Sequence, residues 1–305
     1  MKLFITGGRG MVGRNLCALA EQRGVEVFAP TRDELDLLDY QDTLASIRQY
    51  QPDVVIHAAG LVGGIQANMA APYDFCFINL QLGLNVVRAA HEAGVDQLIN
   101  LGSSCMYPRA AQNPLQESLI LKGELEPTNE GYAVAKVAVA KLCEYLSQQH
   151  GAYYRTLIPC NLYGFWDNFH PQRSHMIPAV IRKIHEAKLS NQPQVEIWGD
   201  GTARREFMFA EDLADLVLKV SNSVDELPQY MNVGLGYDFS INEYYQQVAD
   251  VIGYEGTFVH DLSKPAGMKQ KLVGIDGQTS FGWAPPTALR AGIEKTYAYF
   301  LKDAI

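Results

Sequence analysis

The opening of the chain constrains its fold more than any later stretch. Residues 2–6 are a short, mostly apolar run that stops at Gly7-Gly8-Arg9-Gly10-Met11-Val12-Gly13, and a helical pattern over 15–22 follows directly. Strand, glycine turn and helix in that order predict the first half of a βαβ unit. Gly7, Gly10 and Gly13 have the spacing GxxGxxG. Their missing side chains let the backbone come close to a pyrophosphate, and the N–H groups at Met11 and Val12, where the helix starts, carry the positive end of its dipole. Elsewhere such a triplet marks only a tight turn. Between a first strand and a first helix it points to a dinucleotide.

The alternation then repeats. Residues 25–28 read as a second strand, and Asp36-Leu37-Leu38-Asp39 leads into a helix ending near Tyr50. A buried strand at 54–57, a long helix at 74–93, a strand at 97–101, a helix at 131–149 and a strand at 154–158 follow. This predicts an α/β fold, a Rossmann-type doubly wound parallel sheet. Past residue 165 the elements are shorter. We read helices at 177–187, 211–220 and 240–252, the last capped by Ser240, a strand at 195–198 and a return to the sheet at Asn232-Val233-Gly234. Leu289, Ile293, Tyr297 and Phe300 line a final amphipathic helix. The expected division is a dinucleotide-binding domain over 1–165. A smaller C-terminal α/β region over 166–305 would serve mainly the substrate, with segments returning to the first domain.

The second strand should end near the adenosine ribose, where an NAD-binding chain usually carries an acid. Here it runs into Ala29-Pro30-Thr31-Arg32, and the first acid is Asp33. Arg32, together with Arg9 of the glycine turn, suits a 2′-phosphate, so NADP(H) is the expected cofactor. The competing reading pairs Arg32 with Asp33 or Glu34. After the third strand Ala58 and Ala59 are small enough for the chain to pass against a flat cofactor, and His57 reads as a packed strand-end histidine.

Tyr132 and Lys136 lie four residues apart in a run rich in Ala and Val, on one face of the helix they predict. An ammonium beside a phenol favours the phenolate and would lower the tyrosine pKa, making Tyr132 a proton donor and acceptor near neutral pH. Ser103 follows the 97–101 strand, at the edge where parallel sheets bind ligands. It reads equally as a hydrogen bond to a substrate carbonyl or as a turn serine bonded to its own backbone. Cys105 reads as an inert thiol or as an acid/base, the first being the commoner fate of an isolated cysteine.

A net charge of −9 argues against nucleic acid or an anionic membrane as partner, so an anionic ligand must be met locally by a few Arg, Lys and N–H groups. The five cysteines are widely spaced, without a CxxC, which argues against a disulfide framework or a metal site and fits a reducing cytoplasm. No run of 18 apolar residues or cleavable signal is present, so a cytoplasmic protein is expected. Residues 165–175 are aromatic and turn-rich, the composition of a contacting loop. Arg204-Arg205 is a basic spot suited to phosphate, although such pairs are usually a solvated face.

Taken with Ser103, Tyr132 and Lys136, the opening ITGGRGMVG over 5–13 resembles the extended short-chain dehydrogenase/reductase family. Within it, the chain is most similar to the branch acting on GDP-4-keto-6-deoxymannose as 3,5-epimerase and 4-reductase. The stretches that carry this are VGGIQAN (62–68), GSSCMYP (102–108), EPTNE (126–130), NLYG (161–164), DNFHP (167–171) and SHMIP (174–178). The resemblance implies that Tyr132 protonates the C4 oxygen as NADPH reduces C4. Lys136 would lower the Tyr132 pKa and hold the nicotinamide ribose, and Ser103 would orient the carbonyl. It further implies Cys105 and His175 as the base and acid that invert C3 and C5 through enolates, with GDP-L-fucose as product. Lys183, Trp198, Arg205 and Lys271 would hold the GDP-sugar. Asp39, Asn161 and Leu162 would join Gly7, Arg9, Gly10, Met11, Val12, Gly13, Arg32, Ala58, Ala59 and Lys136 around the cofactor. A homodimer through the 74–93 and 131–149 helices is also implied. The alternative is a C4-reductase of a related GDP-4-keto sugar, a heptose or a dideoxy sugar, with partial or no epimerisation.

Three positions depart from that pattern. Pro30 stands where an arginine gripping the 2′-phosphate is expected. Lys183 replaces an arginine, a fork traded for a point charge. KPAGMKQK over 264–271 replaces a KPDGxxRK-type stretch, so Ala266 lacks a carboxylate expected near the nucleotide-sugar.

Overall fold

The computed structural model describes residues 1–171, 174–264 and 268–304. The first half runs β1 (Lys2–Thr6), α1 (Met11–Gln22), β2 (Glu26–Phe28), α2 (Tyr40–Tyr50), β3 (Val54–His57), α3 (Ile65–Ala70), α4 (Pro72–Glu92), β4 (Gln97–Leu101), α5 (Glu130–His150), β5 (Tyr153–Pro159) and β6 (Asn161–Tyr163). The second runs α6 (Met176–Leu189), β7 (Gln194–Trp198), β8 (Arg204–Arg205), β9 (Phe207–Phe209), α7 (Ala210–Val220), β10 (Tyr230–Val233), β11 (Phe239–Ser240), α8 (Ile241–Ile252), β12 (Thr257–Asp261), β13 (Gln270–Lys271), α9 (Asp276–Ser280) and α10 (Leu289–Tyr299).

Six strands form one sheet in the order β10-β5-β4-β3-β1-β2, every pair parallel. The expected doubly wound α/β sheet is therefore present. Its strands are buried on both faces because alternate side chains serve different layers. Leu3, Ile5, Val54, Ile56, Ile99 and Leu101 pack in one cluster with Leu16 and Ala20 of α1 and Leu213 and Val217 of α7. Phe4, Val55 and Leu98, the residues between, pack in another with Ile47 of α2, Val86 and Val87 of α4 and Val139 of α5. The sheet grows away from β1 in both directions, to β2 on one side and β3 on the other. That switch point opens a crevice beyond the carboxyl ends of the strands.

A third apolar cluster belongs to the C-terminal half, where Ile181 and Ile184 of α6, Val195 and Ile197 of β7, Val248 and Ile252 of α8 and Ile293 of α10 meet. Small sheets frame it: β7 with β12, β6 with β9, and β8 between β11 and β13. Ser240 caps α8 as expected, in a reciprocal capping box with Glu243. The two-residue strands carry no periodicity to read in sequence, and α3 is too short to show one. Among the described residues no helix is long and apolar enough to cross a membrane.

Candidate active site

The glycine turn closes tightly onto β3. Gly7 has φ +74°, and a Cβ there would come within 2.7 Å of the Ala59 Cα. At Gly13 a Cβ would lie 2.2 Å from the Gly7 carbonyl oxygen, so neither position admits a side chain. Gly10 N donates to the Gly7 carbonyl at 2.9 Å, fixing the turn. No side chain caps the start of α1 and its first turn holds no acid, so Met11 and Val12 present the helix dipole unopposed. This is a cradle that side chains would fill, and it fits a pyrophosphate.

Beside the turn, the Thr6 hydroxyl bonds the His57 ring at 2.9 Å and accepts from Ala59 N at 3.2 Å. Burial, helped by the charge of Lys136, lowers the His57 pKa to about 3. His57 is packed at the strand end, as the sequence implied, and burial keeps it neutral. The loop after β2 reaches the glycine turn: the Glu34 carboxyl is held below its usual range by the N–H and hydroxyl of Thr31 and, more weakly, by Arg9. Arg9 and Arg32 are exposed, and no ion pair among the described residues occupies them. Asp39 sits at the start of α2, where its carboxylate accepts from Gln41 N and Asp42 N as an N-cap. Asn161 and Leu162 lie in β6, where the Asn161 amide donates to the Glu206 carbonyl at 3.0 Å.

Strand β4 delivers the next group. Gly102 N bonds the Leu157 carbonyl at 2.8 Å, and Ser103 caps the short turn Ser104–Met106, its Oγ accepting from Cys105 N at 3.3 Å. The turn-serine reading is thus seen in the structure, and the same hydroxyl also reaches Tyr132. Lys136 is 7% exposed, and its Nζ donates to the Leu101 carbonyl at 2.9 Å and stands 5.8 Å from the Tyr132 ring centre. Burial lowers the Lys136 pKa to about 8 against the opposing charge of Cys105. The expected lowering of the Tyr132 pKa does not occur. Burial raises it, the neighbouring Cys105 adds to the rise, and the Ser103 hydrogen bond works the other way. Lys136 spends its short hydrogen bond on a backbone carbonyl, so desolvation of the phenol prevails.

Cys105 is half-buried, and two donors converge on it: Asn129 Nδ2 at 3.0 Å and Lys271 Nζ at 3.6 Å. Asn129 lies in the EPTNE stretch, where its residue type and cap position resemble those of any helix start, so sequence alone holds no signal for it. Lys271, expected against the GDP-sugar, lies on β13 in register with Arg205 of β8. Arg205 donates to the Arg204 carbonyl at 2.7 Å, and burial lowers its pKa against the charges of Glu126 and Asp238. Arg204 is the surface pair member, bonded to Asp238 at 2.6 Å. Glu206, fully buried, accepts backbone N–H groups from Gly236 and Val273, both at 3.0 Å, and so ties the β8 segment to its neighbours.

His175 immediately precedes α6 at its N-cap position, and burial lowers its pKa, favouring the neutral imidazole. No hydrogen bond among the described residues joins it to Cys105. Lys183 donates to the Glu196 carbonyl at 2.6 Å, and Trp198, 43% exposed, bonds the Glu196 carboxylate at 3.0 Å with Lys264 over its ring. These four residues form one group around β7. Ala266 lies outside the described residues.

The chain matches the profile of the NAD dependent epimerase/dehydratase family over residues 3–234. It belongs to that family. As an epimerase/dehydratase family member it is 52% identical over 300 residues to the GDP-L-fucose synthase of Azorhizobium caulinodans, covering 98% of this chain and 96% of that one. To the GDP-L-colitose synthase of Yersinia pseudotuberculosis it is 49% identical over 304 residues, 99% of each. The solved GDP-mannoheptose C4 reductase of Campylobacter jejuni with NADP bound superposes with a TM-score of 0.90 at 31% identity, covering 99% and 98% of the two chains. The chain is an enzyme of this family, an oxidoreductase that uses NADP(H).

Proposed function

We propose that this chain is an NADPH-dependent 3,5-epimerase and 4-reductase that converts GDP-4-keto-6-deoxy-D-mannose to GDP-L-fucose. The observation that carries the reading is Cys105, held beside Ser103, Tyr132 and Lys136 with two donors on its sulfur. Reduction alone needs the last three residues; a positioned thiol is what proton removal next to a ketone requires. The half-buried Ser103 and Tyr132 hydroxyls orient the C4 carbonyl. Cys105 takes the C3 or C5 proton, the electron pair passes to the C4 oxygen, and His175, after taking up a proton from solvent, delivers it to the opposite face of that carbon as the enolate collapses to the ketone. NADPH, when bound, supplies hydride to C4. Tyr132 gives its proton to that oxygen, and Lys136 offsets the phenolate left behind. Arg9 and Arg32 would meet the 2′-phosphate, and Asp39, Ala58, Ala59, Asn161 and Leu162 would border the cofactor. Arg205, Lys183 and Trp198 would hold the GDP portion, which makes 166–305 mainly a substrate region.

A second reading has its own support: likeness at 49% to a GDP-L-colitose synthase and a fold close to a GDP-mannoheptose C4 reductase. It is C4 reduction of a dideoxy or heptose GDP-4-keto sugar, with partial or no epimerisation. Product analysis by NMR separates the two. After incubation with GDP-4-keto-6-deoxymannose and NADPH in D2O, the first reading gives GDP-L-fucose carrying deuterium at C3 and C5. Reduction without deuterium there would select the second.

The same reading includes a homodimer and a cytoplasmic setting. Tyr73, Phe77 and Leu84 form an exposed stripe on α4, and Val134 and Tyr145 one on α5, a surface that suits a second copy of the chain. The five free thiols suit a reducing compartment.

A further inference from the structure

We infer that Asn129 is a positioning residue which, with Lys271, holds the Cys105 sulfur in place to accept a proton. The inference rests on the proposed epimerase reading and adds residues to its base. Asn129 Nδ2 approaches the sulfur to 3.0 Å, close for nitrogen on sulfur, while its Oδ1 is shut off from solvent with no partner among the described residues. A buried amide oxygen left unpaired is costly. The amide nitrogen is therefore turned to the sulfur at the expense of the rest of the group. A thiolate only accepts, so a donor fixed on it favours the charged form.

The local fold is built to aim that amide. Asn129 ends the turn Pro127–Asn129, whose start Glu126 caps by accepting from Thr128 N and Oγ1 at 3.4 and 3.2 Å. At Gly131 a Cβ would lie 2.5 Å from the Pro72 carbonyl, so only glycine lets the turn press against the start of α4. The charged and titratable groups facing Cys105 are Tyr132 and Lys136 from α5 and Lys271 from β13. Lys136 is engaged with Leu101, which leaves Lys271 as the cation on the sulfur and Asn129 as its directional donor.

The test measures the rate at which iodoacetamide alkylates Cys105 in the whole protein at pH 7, read peptide by peptide by mass spectrometry. Asn129→Leu and Lys271→Met should each slow that reaction about tenfold. Asn129→Asp should slow it further, because a carboxylate would face the sulfur. Cys17 and Cys76 in the same digest report whether the fold is intact. Unchanged Cys105 rates in all three variants, with Cys17 and Cys76 unchanged, would overturn the inference. Alkylation needs no sugar, so failure of the product analysis would not mimic failure here.

Discussion

At Tyr132 burial keeps the proton on the phenol at neutral pH, which is the state a proton donor to the C4 oxygen needs. In the proposed reaction the lysine contributes after the transfer, when an ammonium in the same buried space would meet a phenolate. Tyr132→Phe should lower NADPH oxidation with the keto sugar by roughly 10²- to 10⁴-fold while leaving NADPH affinity within twofold; turnover near wild type would remove Tyr132 from the chemistry. Lys136 gives a pH signature. Its pKa falls to about 8 in the fold, so its charge, and with it the reductive rate, should decline as pH rises through about 8. Lys136→Arg should move that limb upward because a guanidinium stays charged; a limb that does not move belongs to another group. For stability the sign is opposite. Below about pH 8 the fold bears the cost of a buried ammonium, and that cost is relieved as pH rises toward the ordinary lysine value.

The long elements were legible because each satisfies a repeating pattern. Helices α4 and α5 appear within two residues of the expected 74–93 and 131–149. Their approach to each other was not legible. A Cβ at Gly83 would lie 2.2 Å from Val139 Cγ2, so a glycine in mid-helix is retained for close packing against a stiff β-branched neighbour. Gly83→Ala should cost about 1–3 kcal/mol in chemical denaturation, with part recovered in Gly83→Ala/Val139→Ala. Additive losses in the double variant would mean that the two positions do not press on each other. The two-residue strands β8 and β13 show the other limit. Arg205 and Lys271 are 66 residues apart in sequence and meet only through that pairing.

At the scale of the molecule, the exposed stripes on α4 and α5 lie on two helices packed side by side, with Tyr73 stacked on Phe77 at 5.6 Å. Light scattering should give twice the chain mass at micromolar concentration. Tyr73→Glu with Phe77→Glu should yield a folded monomer, since two charges would then have to be buried at the contact. A monomeric wild type would refute the homodimer.

The sequence by itself determined the parallel sheet, the glycine cradle and the residue types of the proposed reductive group, because these follow from local pattern and from spacing within one helix or turn. Tertiary structure decided the rest. It set the direction of the Tyr132 shift, lowered the pKa of His57, and brought Asn129 and Lys271 onto Cys105. Burial and contact between segments far apart in the chain are properties of the folded molecule. No single stretch of residues carries them.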